Sequence, residues 1–177
     1  MLLSKIPCLD KGYIALLDSS NTTSKLREIG QEFYGGEYPT ALEELGTMTI
    51  VIKCPLFVQL YLSKFNLKVI NADRGSKPEA YIPSAAAIGA AEVNTSQDIV
   101  DDISRTTDAL FINPQAYQAD GADRFVSQVL TPISTYTILI VSGSYSEWCK
   151  ASSQSGLPLP IGEYAKVIGQ ILEMEWR

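Results

Sequence analysis

The stretch Met48-Thr49-Ile50-Val51-Ile52-Lys53-Cys54-Pro55-Leu56-Phe57-Val58 changes character halfway along. Up to Lys53 it is rich in β-branched side chains, which fit a pleated, half-buried surface and predict a strand over 48–53. Cys54-Pro55 stops that strand. Proline has no N–H for a ladder but suits the first turn of a helix, where that N–H would lack a partner anyway. A helix is therefore expected over 56–65, with Phe57, Leu60, Tyr61 and Lys64 on related faces.

Outward from this junction the chain alternates between the same two periods. Towards the N-terminus, the apolar run 12–18 follows the turn-like Asp10-Lys11-Gly12 and reads as a strand. Asn21-Thr22-Thr23 can cap a helix carrying Leu26, Ile29 and Phe33 that ends near Gly35-Gly36, and 40–45 reads as a short helical turn. Towards the C-terminus, 68–71 reads as strand and 73–78 as loop. Helices are expected over 98–110 (Ile99, Ile103, Leu110) and 120–130 (Phe125, Val126, Val129, Leu130). Residues 135–141 are the most strand-like run, broken by Gly143. Helices over 146–153 and 161–176 follow, the last burying Val167, Ile168, Ile171 and Leu172. With no repeats or linkers, the expectation is an α+β protein in one domain, 1–177.

Composition excludes several function classes. The chain has no histidine, so imidazole acid–base chemistry and histidine metal ligation are absent. Cys8, Cys54 and Cys149 are widely spaced, without a C-x-x-C pair, so no metal site is expected and reduced thiols are. The net charge of −6 opposes nucleic-acid or anionic-membrane binding, which needs a basic face. Within it, however, Lys53, Lys64, Lys68, Arg74 and Lys77 share 25 residues with a single acid, Asp73: a solvated face or an anion site. The apolar runs are too short to span a bilayer, and Met1-Leu2-Leu3-Ser4-Lys5 does not open a signal peptide; a cytoplasmic protein is expected. Asp101-Asp102 reads as solvated acids, Ser142-Gly143-Ser144 has no base to activate it, and 85–91 lacks a glycine-rich phosphate loop.

Taken in order, several segments resemble the flavin-dependent thymidylate synthases. Cys8-Leu9-Asp10-Lys11-Gly12-Tyr13-Ile14 resembles their opening strand, and Lys53-Cys54-Pro55-Leu56-Phe57-Val58 resembles the K-x-P-x-F-V before their signature. Tyr81-Ile82-Pro83-Ser84 resembles the segment after it. Val129-Leu130-Thr131-Pro132 with Tyr136-Thr137, and Tyr164-Ala165-Lys166-Val167-Ile168, resemble the later helix end, strand and last core helix. Each motif is weak alone; their order over about 165 residues carries the resemblance. It implies a mixed sheet with flanking helices, assembly as a homotetramer, and FAD and nucleotide held at subunit junctions. The family's reaction methylates deoxyuridylate with a reduced flavin and needs no protein nucleophile, so no catalytic side chain is expected from it.

The family signature, R-H-R-x-x-S-x-N-x-x-S-x-R-Y, is degraded here. Its first arginine becomes Lys64, which keeps the charge and loses the planar fork. Its histidine becomes Phe65, its second arginine Asn66 and its first serine Val69. Asn71 matches, and Arg74 can match its last arginine across a two-residue deletion. The acid of an earlier turn is retained at Glu44, a late arginine has no counterpart in 152–155, and Arg124 matches a basic position on the helix before Pro132. Lys64, Lys68, Asn71, Arg74 and Arg124 are thus the candidate nucleotide- or cofactor-binding residues, with Lys77 beside them. The expectation is a divergent homologue whose site is lost or repurposed, acting as a structural or interaction subunit in a homo-oligomer or beside an intact paralogue. The alternative is an active FAD-dependent enzyme that methylates or hydroxymethylates a pyrimidine nucleotide.

Overall fold

A computed structural model describes residues 4–20, 32, 46–73, 78–88, 93–119 and 131–176. The elements are β1 (Lys5–Cys8), β2 (Gly12–Ser20), β3 (Thr47–Pro55), α1 (Leu56–Leu62), β4 (Lys68–Asn71), α2 (Ala85–Ile88), α3 (Val93–Ala119), β5 (Tyr136–Ser144), α4 (Tyr145–Ser152) and α5 (Leu159–Glu175). They fall into two compact units, 1–74 with 137–177, and 75–136.

In the first unit five strands form one sheet in the order β1-β2-β3-β5-β4. The pairs β1–β2, β2–β3 and β4–β5 are antiparallel. Between β3 and β5, Thr49 Oγ1 donates to Ser142 Oγ at 2.9 Å, and beyond the strand ends Tyr145 N donates to Gly46 O at 2.7 Å. Those two contacts fit strands running in opposite directions. The expected α+β class, a sheet with flanking helices, is what the chain adopts, with antiparallel pairing in place of the mixed sheet implied by the resemblance.

Alternation along the strands decides where the core lies. Met48, Ile50, Ile52 and Cys54 of β3, Ile14 of β2, and Leu139 and Val141 of β5 are fully buried. They join Val58, Tyr61 and Leu62 of α1, Trp148 and Ala151 of α4, and Tyr164, Val167, Ile168, Ile171 and Leu172 of α5 in one core cluster. Three aromatic polar tips fasten this layer to main chain: Trp148 Nε1 to Met48 O (2.9 Å), Tyr164 Oη to Lys53 O (2.8 Å) and Tyr61 Oη to Ala151 O (2.6 Å). Such bonds let large aromatic side chains be buried without an orphaned donor.

The β1–β2 hairpin is held by its turn. Leu9 takes the left-handed conformation (φ 54°), which costs an L-residue roughly 1–2 kcal/mol. Its N–H donates to Glu163 Oε1 of α5 at 2.6 Å, which fixes the turn against the helix. Pro7 lies on β1, an outer strand, where a residue without an N–H is tolerated.

Expected elements and observed ones differ mainly at their ends. The strand expected over 48–53 runs to Pro55, and the helix after it stops at Leu62. β1 is an additional strand, obscured in the sequence by its proline and its four-residue length. The helices expected over 21–35 and 120–130 and the turn over 40–45 lie outside the described residues. In the second unit, α3 spans Val93–Ala119 where 98–110 was expected, and Ala80 bridges Thr135.

Candidate functional site

The signature-like stretch begins where α1 ends. Ser63 N donates to Gln59 O and Lys64 N to Tyr61 O, and Leu67 N donates to Phe65 O, folding residues 63–67 into a tight turn that leads to β4. Inside that turn Phe65 lies edge-on to Tyr61 (centroids 5.3 Å, planes 72° apart) and packs against the core. Burial raises the Tyr61 phenol above its ordinary range, so it stays a neutral donor to Ala151 O. Leu67 fills the space over Gly143, where a Cβ would stand 2.3 Å from Leu67 Cδ2.

One backbone donor of this turn is satisfied by an acid. Asn66 N donates to Glu147 Oε2 at 2.9 Å, and Lys150 Nζ donates to Glu147 Oε1 at 2.6 Å. Glu147 is positioned by the start of α4, where Ser144 Oγ accepts from Glu147 N. Ser144-Tyr145-Ser146-Glu147 has the spacing of a capping box, but here the glutamate reaches Asn66. The Lys150 hydrogen bond, then the Asn66 N–H, hold the Glu147 carboxyl below its usual range.

The candidate residues divide as follows. Lys64 is exposed, with Nζ 5.9 Å from the Tyr61 ring centroid. Lys68 and Asn71 are both exposed on β4 but three residues apart, which assigns them to opposite faces of the sheet. Asn71 Oδ1 accepts from Asp73 N at 2.8 Å, a local turn contact. Val69, in the place of a signature serine, packs against the core. Arg74, Lys77, Arg124 and Glu44 lie outside the described residues. The FAD implied by the resemblance does not fit the described part of this stretch. Its arginine fork is a lone ammonium at Lys64, Phe65 and Val69 turn to the core, and the Asn66 N–H is held by a carboxylate.

A second concavity, which sequence reasoning did not find, opens between β1 and α5. It has a volume of about 660 Å³ and is lined by Ile6, Pro7, Leu157, Leu159, Glu163 and Lys166 among others. Its carboxylate, Glu163, is engaged by Leu9 N. Nearby, burial and then Glu163 push the Cys8 thiol up to about 12, and burial chiefly does the same to Cys54. Both cysteines are therefore protonated at neutral pH. Among the described residues no cluster of three His, Cys, Asp or Glu side chains could hold a metal ion, and no helix is long and apolar enough to cross a membrane.

The α+β fold of this chain is similar over nearly its whole length to that of a solved protein. The likeness is to the UMP/dUMP methylase PolB from Streptomyces cacaoi. Its structure bound with 5-Br UMP matches with a TM-score of 0.71 at 16% identity, covering 94% of this chain and 90% of that one. The same protein bound with 5-Br dUMP matches with a TM-score of 0.66 over the same shares. At this identity the likeness shows the fold. No family model and no curated protein matches the sequence.

Proposed function

We propose that this chain is a divergent relative of the flavin-dependent pyrimidine-nucleotide methylases whose nucleotide and flavin site is retired, and that it serves as a structural or interaction subunit. The contact of Glu147 with the Asn66 N–H carries this reading. A backbone donor in the signature-like turn, where a bound anion would need donors, faces a carboxylate instead. Two like unit charges about 4 Å apart repel by about 1–4 kcal/mol between bulk water and a protein surface. Lys150 is itself engaged by Glu147. The inward-packed Phe65 and Val69 agree, since apolar side chains there add to the core.

The likeness to a UMP/dUMP methylase favours a second reading, in which Lys64, Lys68 and Asn71, with Arg74 and Arg124, bind nucleotide and FAD in an active enzyme. Calorimetric titration of the purified chain with FAD and with dUMP, each to 1 mM, separates the two. Retirement predicts no heat of binding from either ligand and no flavin absorbance in the purified protein. Micromolar affinity for either ligand, or methylation of UMP or dUMP, overturns it and establishes the second.

A further inference from the structure

The concavity between β1 and α5 draws on one stripe of the helix. Leu159, Gly162, Glu163 and Lys166 recur at helical spacing and share a face of α5. Ile6 of β1 and Leu157, ahead of the helix, complete an apolar wall, and Leu159, which lines it with them, is 67% exposed. The volume of about 660 Å³ lies inside the range of roughly 300–1,000 Å³ usual for small-molecule sites. None of the lining residues belongs to the stretch from Lys64 to Asn71.

Two features of this stripe are not explained by packing within the described residues. Gly162 stands in the first turns of α5, where glycine is a poor helix former. A Cβ there would meet Leu157 Cβ and Leu157 O at 3.9 Å and nothing closer, and its φ is not in the left-handed region. No neighbour demands the glycine; its effect is to keep the floor of the concavity clear. Glu163 is half-buried, and the Leu9 N–H holds its carboxylate in place through Oε1 at 2.6 Å. Among the described residues no cation pairs with that carboxylate, although Lys166 follows on the same face of the helix. A charge partly withdrawn from water gains most from an opposite charge brought to it.

We propose that this concavity binds a small organic ammonium ion with an apolar body, an alkyl or arylalkyl amine. The ammonium donates to the Glu163 carboxylate, and the body lies over Gly162 against Ile6, Leu157 and Leu159. An ammonium–carboxylate hydrogen bond is of the stronger, charge-assisted kind. The carboxylate needs no reorientation, because Leu9 already fixes it, and this lowers the cost of binding. An organic acid is the poorer occupant. Its one cation among the lining residues, Lys166, is exposed and screened by solvent, whereas Glu163 is held where it repels the acid. The net charge of −6 also draws cations rather than anions towards the chain.

Heteronuclear NMR of the isotope-labelled chain tests this with tryptamine, phenethylamine and octylamine, each to 5 mM. Beside them run the acids of the same skeletons: indole-3-propionate, 3-phenylpropionate and nonanoate. At least one amine should shift the Leu9, Gly162 and Glu163 amides saturably, with a Kd of roughly 0.1–2 mM for a ligand of about ten heavy atoms. Its matching acid should bind about tenfold more weakly or not at all. Glu163→Gln keeps an oxygen for the Leu9 N–H but loses the charge, and should raise the amine's Kd about tenfold. Gly162→Leu fills the floor and should abolish binding, while amide dispersion reports whether each variant is folded. The proposal is overturned if all three amines leave these amides unmoved, or if an acid binds as well as its amine. Undiminished amine binding by either folded variant overturns it too. These outcomes are independent of the FAD and dUMP titrations, which probe another stretch of the chain.

Discussion

A methyl group on Gly12 would stand 1.8 Å from Tyr164 Oη, 2.7 Å from Cys8 O and 2.8 Å from Lys53 O. Gly12 is therefore set by contact, because the tyrosine crosses the strand at this point to reach Lys53 O. Gly12→Ala should cost about 2–3 kcal/mol, the upper range for overpacking a filled core, read by urea unfolding. Tyr164→Phe should cost about 1–2 kcal/mol by removing the hydroxyl's hydrogen bond to Lys53 O. The two losses should sum to more than the double variant shows, since removing the hydroxyl removes the shortest clash. Thiol reactivity is a second expectation at this scale. Cys8 and Cys54 are fully buried, whereas Cys149 is half-buried. In the folded protein Ellman's reagent should modify Cys149 first, and all three only in denaturant. The buried reduced state was legible for Cys8 and Cys54 from spacing and composition. The clash at Gly12 was not, because it depends on a helix more than 150 residues away.

The junction of α4 with the turn after α1 shows what a single element end can decide. Ser144→Ala should lower stability by about 1 kcal/mol, as for other N-cap serines. Glu147→Gln tests the adjoining bridge by its pH dependence. A carboxyl held below its ordinary value stabilises the fold above the unfolded pKa and loses that contribution as pH falls through the folded one. The stability difference between the wild-type chain and Glu147→Gln should thus be constant from pH 7 to about 5 and shrink below about 4.5. At neutral pH it should not exceed about 1 kcal/mol, because Lys150 is largely exposed. Denaturant titrations from pH 3 to 7 measure it. Elements were legible where chemistry is local: Pro55 marks strand end and helix start at once. They were hidden where tertiary context overrides, as in β1, whose proline argues against a strand, and in α3, which continues past Pro114.

For the whole molecule, the α+β class followed from the periodicity of successive segments, and the structural likeness to a solved protein extends over 94% of the chain. The candidate site was only partly legible. Sequence located the stretch around Lys64, but not the carboxylate that meets its turn, since Glu147 is 81 residues from Asn66. A global consequence of the two raised thiols can be measured at high pH. With folded values of about 12, stability is intact below the ordinary thiol value and falls as pH rises through 9, because the unfolded chain ionises first. Each thiol adds a slope of up to about 1.4 kcal/mol per pH unit. Cys54→Ala should therefore flatten the decline between pH 9 and 11 in equilibrium unfolding.

Pro7 has a bearing on colloidal behaviour. A fibre built by strand addition needs two live edges, so that each molecule can both accept a neighbour and present itself to the next. Only alternate residues of a four-residue outer strand direct their amides outward, and a proline takes away one of those amides. With β1 blunted in this way, edge-to-edge growth among the described strands is left to β4. Two sheets that meet there use up their remaining growth point, and the series terminates after one addition.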